Sequence, residues 1–306
     1  MKSIRDRQHK MSIGQFGAVQ PDEASVAQVV ANMPQCLAAD SLRKLAAAIK
    51  AARDDGSPVV FALGGHVVKT GCSNYIIDLC RRGFVTHLAL NGAAAIHDVE
   101  IAIHGETSED VDDTLGKGEF GMVAETTELF DAACQACSSR NIGLGAGLVN
   151  ELADLLRTPR AASSLLWNQS QVDAGSVTVH AAIGADTVHL SDDLDGAALG
   201  KALLTDFRAV CKIVFGLQGG VWVNVGSATL LPEVFLKAIS SALHAGAELD
   251  RITTADMDMI RHYRPTQNVV RRPPGHGLQI TGHHEIMLPL LHQLLVSPPI
   301  TGDARL

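Results

Sequence analysis

Hydrophobic and polar positions alternate along this chain in blocks that predict strands and helices in turn. Short runs rich in β-branched residues, such as VVFAL (59–63), are bounded by glycine or proline and suit strands buried on both faces of a parallel sheet. Longer segments with apolar residues three and four positions apart predict amphipathic helices between them. The predicted strands are 59–63, 85–90, 176–181, 220–225, 251–255 and 277–281. The predicted helices are 72–82, 93–103, several across 124–170, 196–216, 231–245 and 284–296.

This alternation predicts an α/β fold with a doubly wound, mostly parallel, Rossmann-like sheet and helices on both faces. Such sheets bind ligands at the carboxyl ends of their strands. We expect a single domain over residues 23–306, preceded by a polar arm over 1–22. Three segments interrupt the alternation, 104–120, 191–197 and 262–277. Because long loops in compact domains are often functional, we expect these loops to rim the site.

Composition narrows the class of protein. The chain has 306 residues, 46% of them hydrophobic, which suffices for a large core. A formal charge of -8, without a long run of Lys or Arg, argues against nucleic acid as a partner. The sequence has neither an apolar stretch long enough for a membrane span nor a secretory signal, so we expect a cytoplasmic protein. The six cysteines are too scattered for a disulfide framework, and the Cys134–Cys137 pair lacks a second pair, so we predict no metal site.

Glycines at the first predicted strand end indicate a ligand that carries phosphate. The segment LGGHVVKTG places Gly64 and Gly65 after a strand and Gly71 just before a helix. Backbone N–H groups and a helix N-terminus can receive a phosphate in such an arrangement. Lys69 and Thr70 add a positive charge and a hydroxyl group. Glycine turns after strands also occur for purely geometric reasons.

Two further strand ends repeat this pattern of small residues. They are Asn91, Gly92 and Ala93 in LNGAAAIHD, and Gly226 and Ser227 in NVGSATLL. Three such ends fit a dinucleotide lying across the sheet edge better than a mononucleotide. The segment GLGAG (143–147) has the letters of a dinucleotide fingerprint, but it follows a predicted helix, so we expect it to be a loop.

His97 and Asp98 lie one turn into the helix that follows the second strand end. Histidine titrates near neutral pH, so this pair can supply an acid or a base. The pair can equally be a solvated part of an alanine-rich packing face. Carboxylates gather nearby in HDVEIAIHGETSED, including Glu100 and Glu106, and again in SDDLDG, including Asp195. They suit a cationic substrate or a divalent ion, and a solvated acidic loop is the alternative.

The order of these pieces resembles the deoxyhypusine synthase superfamily of NAD-binding folds. The resemblance runs from about residue 57 to 296 through LGGHVVKTG, YIIDLCRRG, VTHLALNG, AAAIHD, VTVHAAIGAD, GGVWVNVGSATLLPEVF, DRITTADMD and ITGHHEIMLPLL. Residues 68–108 also resemble the NAD-binding domain of archaeal LOR/SDH-like proteins and of related bacterial cyclodeaminases. Both resemblances imply NAD as the cofactor.

The first resemblance implies a set of NAD contacts at the strand ends. The set is Gly64, Gly65, Thr70, Gly71, Asn91, Gly92, Ala93, Gly226, Ser227, Thr254, Ala255 and His283, with His97 near a ribose. That family holds an aminobutyl group as an imine on a lysine, where this chain has the arginines of NVVRRPPGHG. A guanidinium group stays protonated and cannot form an imine. Lys69 either replaces that lysine or pairs with the pyrophosphate of the cofactor.

We therefore predict an NAD-dependent synthase, transferase or oxidoreductase of deoxyhypusine synthase-like fold. It oxidises a small substrate bearing an amine or hydroxyl and transfers, eliminates or re-reduces the intermediate, in a reaction other than deoxyhypusine synthesis. The predicted catalytic residues are His97, Asp98 and Glu100, and the predicted substrate-binding residues are Glu106, His180 and Asp195. The alternatives are a catalytically silent NAD-binding regulatory module and a cyclodeaminase-like ammonia lyase. The resemblance also implies a homotetramer.

Overall fold

Six strands form one parallel sheet within the part of the chain that the structure, a computed structural model, describes: residues 6, 9, 11–155, 162–171, 173 and 176–298. The strands are β1 Val59–Leu63, β2 His87–Asn91, β3 Val177–His180, β4 Val221–Val225, β5 Thr253–Asp258 and β6 His276–Thr281. Their order is β3-β2-β1-β4-β5-β6, and every neighbouring pair is parallel. The predicted Rossmann-like α/β fold is confirmed.

Helices cover both faces of this sheet. They are α1 Val26–Ala31, α2 Leu37–Asp54, α3 Gly65–Lys69, α4 Ser73–Arg81, α5 Gly92–Ile103, α6 Val111–Leu115, α7 Ala124–Arg140, α8 Leu144–Leu155, α9 Leu165–Gln169, α10 Gly196–Phe215, α11 Leu230–His244, α12 Tyr263–Pro265 and α13 His284–Val296. Residues 1–5, 7–8 and 10 of the predicted arm, and 156–161 of the predicted helical region, lie outside the described residues.

Burial explains why the central strands read as continuous apolar runs. All five residues of β1 and all five of β4 are buried, because helices pack on each side of them. On one face Phe61 packs in the same apolar cluster as Ile49 of α2. On the other face Trp222 stacks on Phe235 of α11, with 4.3 Å between the ring centroids. The two clusters hold the sheet in place, so that its carboxyl edge presents a fixed row of strand ends.

The segment GLGAG is the start of helix α8, which corrects the predicted loop. A side chain at Gly145 would lie 2.4 Å from the carbonyl oxygen of Val177, so glycine lets the helix pack directly on β3. The carboxylate of Asp206 accepts hydrogen bonds from the N–H groups of Gly145 (2.9 Å) and Val179 (2.8 Å) and joins the two elements. This helix start is therefore satisfied by the protein itself.

Two of the three predicted long loops also contain helical turns. Helix α6 lies within 104–120, and α12 followed by a π-helical turn at Thr266–Arg271 lies within 262–277. The segment 191–197 remains a turn up to the start of α10. The apolar and capping residues in these segments are enough to form single helical turns. Hydrophobic periodicity is read over a longer stretch of sequence and does not detect elements so short.

Candidate functional site

A cleft of about 980 Å³ opens beside the carboxyl end of β2. Its walls come from α5, from residues 104–111, from the start of α7 and from the end of α8. Predicted site residues that line it are Lys69, Ala93, His97, Glu100 and Glu106. Of the three segments expected to rim the site, only 104–120 does so, because 191–197 and 262–277 contribute none of the lining residues.

His97, Thr107 and Glu100 form a hydrogen-bonded group in this cleft. The Nδ1 atom of His97 lies 2.7 Å from the Oγ1 atom of Thr107, and the Thr107 hydroxyl donates to Oε2 of Glu100. The His97 and Glu100 side chains are one-fifth exposed, and 3.5 Å separates Nδ1 from Oε2. Burial raises the pKa of Glu100, but the neighbouring imidazole of His97 and the hydrogen bond from Thr107 outweigh it, so the net pKa lies below its ordinary value. The group thus pairs an imidazole with an ionised carboxylate.

The cleft is strongly acidic. Its lining includes seven carboxylates: Glu100, Glu106, Glu109, Glu125, Glu128, Glu151 and Asp186. Among the described residues, Lys69 is the one lysine or arginine in the lining. A cleft with low-dielectric walls focuses such a field and concentrates cations inside it. The side chain of Thr126 is buried in the same wall, and its Oγ1 has no partner among the described residues.

Asp186 occupies the space next to Gly92, at the start of α5. A Cβ atom at Gly92 would lie 2.2–2.5 Å from the carboxylate atoms of Asp186. Oδ2 accepts a hydrogen bond of 2.8 Å from the N–H of Ala182, and burial raises the pKa of the carboxyl group. A negative charge is stabilised at a helix N-terminus. Gly92 therefore leaves room for a carboxylate of the protein, and its contact with NAD stays a prediction.

Asp98 points away from the cleft and is fully buried. Its carboxylate accepts hydrogen bonds from the Ser164 hydroxyl (2.7 Å) and from the N–H groups of Leu165 (2.7 Å) and Leu166 (2.9 Å), at the start of α9. Burial raises its pKa to about 6, against the opposing effect of these bonds. Asp98 holds the start of α9 and does not line the cleft, because successive residues of a helix face different directions; its catalytic role stays a prediction that this placement does not favour.

Gly64, Gly65 and Gly226 bring backbones into close contact at the strand ends. A Cβ at Gly64 would lie 2.0 Å from the carbonyl oxygen of Gly226, and one at Gly65 would lie 3.2 Å from Cδ2 of His97. Gly226 has a φ of 66° and abuts the ring of His284. His284 is fully buried, and its Nδ1 has no partner among the described residues. The strand order reverses between β1 and β4, and folds of this kind bind ligands at that point. An unpaired buried Nδ1 there suits a hydrogen bond to a polar ligand.

Several of the other predicted cofactor contacts, at the ends of β1, β2 and β4, make hydrogen bonds that stabilise the adjacent helix. Thr70 ends α3 and its hydroxyl donates to the carbonyl of His66 at 2.9 Å. Gly71 follows with a φ of 74° and open space around it. The Asn91 side chain caps α5 by accepting from Ala94, and the Ser227 hydroxyl accepts from Leu231. These capping bonds fix the strand ends without excluding a ligand from their backbone groups.

Thr254 and Ala255 lie near the start of β5 and are buried, so they are not at the carboxyl edge. The prediction placed the end of this strand at 255, whereas the strand continues through buried Asp256 to Asp258. Asp256 and Asp258 led the prediction to end the strand too early, because charged residues so close together usually indicate a loop. Their burial is offset by hydrogen bonds, including those from Asn224 (2.9 Å) and Gln279 (2.6 Å) to Asp256.

Three more predicted residues lie at the carboxyl edge but do not line the cleft. His180 ends β3, is buried, and has its pKa lowered by burial to about 4. Asp195 caps α10 by accepting from the N–H groups of Ala197 and Ala198. His283 precedes α13 with its side chain 63% exposed, 3.8 Å from Glu285.

Sequence reasoning missed most residues of the cleft, including Thr107, Thr126, Glu151 and Asp186. They come from segments far apart in the sequence, and no spacing rule joins them to α5. The acidic run HGETSED was the one available signal, and it drew attention to its carboxylates and not to Thr107. Among the described residues, no group of His, Cys, Asp and Glu is arranged to hold a metal ion. In the same part of the chain, no helix is both long and apolar enough to cross a bilayer.

Comparison with known proteins finds one matching family and several solved structures of similar fold. Residues 43–121, about a quarter of the chain, match the family described as arginine dihydrolase ArgZ-like, C-terminal, Rossmann fold. No curated protein matches the chain. The matched segment contains β1, β2, α5 and Thr107, and therefore the central part of the cleft.

Solved structures share the fold. Unliganded AgrE aligns with a TM-score of 0.56 and 18% identity, covering 91% of this chain and 34% of that one. AgrE in ternary complex with ornithine and NAD+ aligns with a TM-score of 0.51 and 19% identity, covering 90% and 34%. A conserved LOR/SDH protein from Methanococcus maripaludis S2 aligns with a TM-score of 0.52 and 11% identity, covering 90% and 71%. The chain thus spans about a third of the length of AgrE.

These findings support the second resemblance drawn from the sequence, to LOR/SDH-like and cyclodeaminase NAD domains. They give no support to the first, to deoxyhypusine synthase. At such identities the structural likeness establishes a shared Rossmann-like fold.

Proposed function

We propose that the chain is an NAD-dependent enzyme that acts on a small cationic amine, in the manner of a cyclodeaminase that releases ammonia. The observation that carries this proposal is the group formed by His97, Thr107 and Glu100 inside an acidic cleft at the carboxyl edge of a Rossmann-like sheet. A general base must lie within hydrogen-bond reach of the proton it removes, and His97 is the titratable base in the cleft nearest to the strand ends.

The charge of the cleft supports a cationic substrate. Among the described residues of the lining, seven carboxylates against one lysine favour an ammonium group, and the hydroxyl of Thr126, which has no partner there, offers one further acceptor or donor. Lys69 is the group best suited to an anion, either the carboxylate of an amino acid or the pyrophosphate of a dinucleotide. The AgrE complex with ornithine and NAD+ combines a basic amino acid with this cofactor on the same fold.

The residues at the strand ends fit NAD. Gly65 lets α3 pack closely against Ala93 and His97, Ala93 and Lys69 line the cleft, and Nδ1 of His284 lacks a partner among the described residues. Gly65, Lys69 and Ala93 are therefore the residues that we expect to hold the cofactor. When bound, NAD+ supplies the hydride acceptor for the carbon that bears the amine.

The residues of the cleft have distinct tasks in this proposal. His97 accepts a proton from the substrate ammonium, so that the nitrogen lone pair becomes available to the adjacent carbon. Glu100 stabilises the imidazolium that results. The remaining carboxylates hold a second cationic group and orient the substrate. The predicted homotetramer stays a prediction that sedimentation of the purified protein can check.

Binding and turnover test the proposal in sequence. Titration of the purified protein with NAD+ and NADH by calorimetry is expected to show binding. The fluorescence of NADH is expected to increase when it binds. Incubation with NAD+ and with ornithine, lysine or simple diamines is then expected to release ammonia. Neutral amino acids of the same length are the matched controls and are expected to be poor substrates. A protein that binds neither form of the cofactor contradicts the proposal.

A further inference from the structure

We propose that Thr107 is a positioning residue, which fixes His97 in the tautomer with its proton on Nδ1 and the lone pair of Nε2 facing the strand ends. The tautomer follows from hydrogen bonding alone. Its use in catalysis rests on the function proposed above.

The first step concerns the proton of the Thr107 hydroxyl. An ionised carboxylate can only accept hydrogen bonds, and a hydroxyl group has a single proton to donate. The hydroxyl oxygen of Thr107 contacts Oε2 of Glu100, so its proton points at Glu100. The lowered pKa of Glu100 is consistent with a carboxylate that stays ionised at neutral pH.

The second step concerns the ring of His97. The Thr107 oxygen, its proton engaged with Glu100, faces Nδ1 of His97 at 2.7 Å as an acceptor. Nδ1 must therefore carry the hydrogen. A neutral imidazole carries one N–H, so Nε2 is left with a free lone pair. The direct distance from Nδ1 to Oε2 of Glu100, 3.5 Å, is beyond a normal hydrogen bond, and Thr107 is the link between the two groups.

The third step is the direction of the free nitrogen. Cδ2 is bonded to Nε2, and this edge of the ring lies against the end of β1, where a Cβ at Gly65 would be 3.2 Å from Cδ2. No described residue makes a hydrogen bond to Nε2. The lone pair therefore faces the edge at which Rossmann-like sheets bind their ligands. Thr107 lies in the segment after α5 and contacts both His97 and Glu100 of that helix. The His97 ring is therefore positioned by α5 and by the segment that follows it.

Nitrogen NMR of the full chain, labelled with 15N-histidine and recorded at a pH where the ring is neutral, reads the tautomer directly. The His97 signals are identified by their loss in His97→Gln. We expect the wild-type ring to show a protonated Nδ1 and an unprotonated Nε2. Thr107→Val, which keeps the shape and removes the hydroxyl, is expected to shift the ring towards the Nε2–H form, and Thr107→Ser is expected to keep the wild-type pattern.

Two results overturn the proposal: a wild-type His97 protonated on Nε2, or a Thr107→Val ring that keeps the wild-type pattern. Unchanged signals from the other histidines show that the variant is folded. Thr107→Ala is used in the same way if valine disturbs the fold. With an active substrate, kcat is expected to fall about tenfold or more in Thr107→Val and to recover in Thr107→Ser. Absence of turnover with the tautomer as expected contradicts the proposed function and leaves the positioning role in place.

Discussion

The two faces of helix α5 differ in what they do, although they are built from adjacent residues. His97 faces the cleft, one-fifth exposed, and is bonded to a loop, whereas Asp98 faces the core, fully buried, and caps α9. A rotation of about 100° per residue separates the two side chains. Although His97 and Asp98 are adjacent in the sequence, their side chains therefore lie in different surroundings. The carboxylate that lies near His97 is that of Glu100, one turn further along the same face, 3.5 Å from Nδ1.

The pKa values of the carboxyl groups on the two faces of α5 shift in opposite directions: that of Glu100 is lowered and that of Asp98 is raised. Burial raises the pKa of Glu100, but the neighbouring imidazole of His97 and the hydrogen bond from Thr107 hold it below its usual range, while burial raises the pKa of Asp98 to about 6. Both groups accept hydrogen bonds, so the difference comes from the depth of burial and from the partner imidazole. An ionised carboxylate is stabilised on the cleft face. On the core face, burial makes ionisation of the carboxyl group unfavourable.

The largest expected effect comes from the cleft face. His97→Gln is expected to lower kcat/KM for the amine substrate by about 10³-fold, because the general base is lost while the hydrogen bond to Thr107 can be kept. The melting temperature is expected to stay near the wild-type value. Steady-state kinetics and thermal melts measure the two quantities on the same preparation.

His244→Gln is the matched control, since His244 is exposed at the end of α11 and lies outside the cleft. It is expected to leave both kcat/KM and the melting temperature unchanged. Equal activity of His97→Gln and His244→Gln excludes His97 as the base and with it the contrast between the faces.

A loss of stability is expected on the core face. Asp98→Ala leaves the N–H groups of Leu165 and Leu166 and the hydroxyl of Ser164 without their acceptor. Burying these donors unpaired is expected to cost about 3 kcal/mol of the free energy of unfolding. Denaturant titration at constant pH measures this loss. Glu100→Ala is the matched change on the other face and is expected to cost about 1 kcal/mol, because solvent reaches Thr107.

If the two alanine variants lose the same stability, the faces do not differ in burial as described. If Asp98→Ala is also inactive under conditions in which it is fully folded, Asp98 has a catalytic role after all.

The fold was accessible from the sequence because its strands are buried on both faces. Runs such as VVFAL and VWVNV carry no polar residues that would suggest a loop, apart from Asn224, and the helices between them have clear periodicity. Errors arose where a local rule was overridden. Asp256 and Asp258 lie within a strand because Asn224 and Gln279 satisfy Asp256, and the GLGAG segment is helical because Asp206 caps it.

The candidate site was accessible only in part. His97 and Glu100 were predicted because α5 follows a strand end made of small residues, where such folds bind ligands, and both line the cleft. Thr107 and Asp186 were not found, since their contacts depend on how two loops return to α5. Asp98 was assigned to the site because helical phase was ignored at two neighbouring positions, although the alanine-rich face around it already indicated burial.

The smallest expected effect, at most about 1 kcal/mol per pH unit, is the dependence of stability on pH. Asp98 has a folded pKa of about 6, raised from 3.8, so its protonated form is favoured in the native state. Its contribution to stability is full below the unfolded value and is lost as the pH rises through about 6. Glu100 has a lowered pKa, so its contribution is present above its unfolded value of 4.5 and is lost as the pH falls through the lower folded value.

Substitution by the neutral amide separates these two contributions. Asp98→Asn is expected to flatten the curve of unfolding free energy between about pH 4 and 6, and Glu100→Gln to flatten it at more acidic pH. Urea titrations of the wild type and both variants, at closely spaced pH values, give the three curves. The wild type and Asp98→Asn are expected to run parallel above about pH 7, where Asp98 is ionised in both the folded and the unfolded wild-type chain. If Asp98→Asn keeps the wild-type slope between about pH 4 and 6, the core-facing carboxylate is not the group that titrates there, and burial is not what sets the two faces of α5 apart.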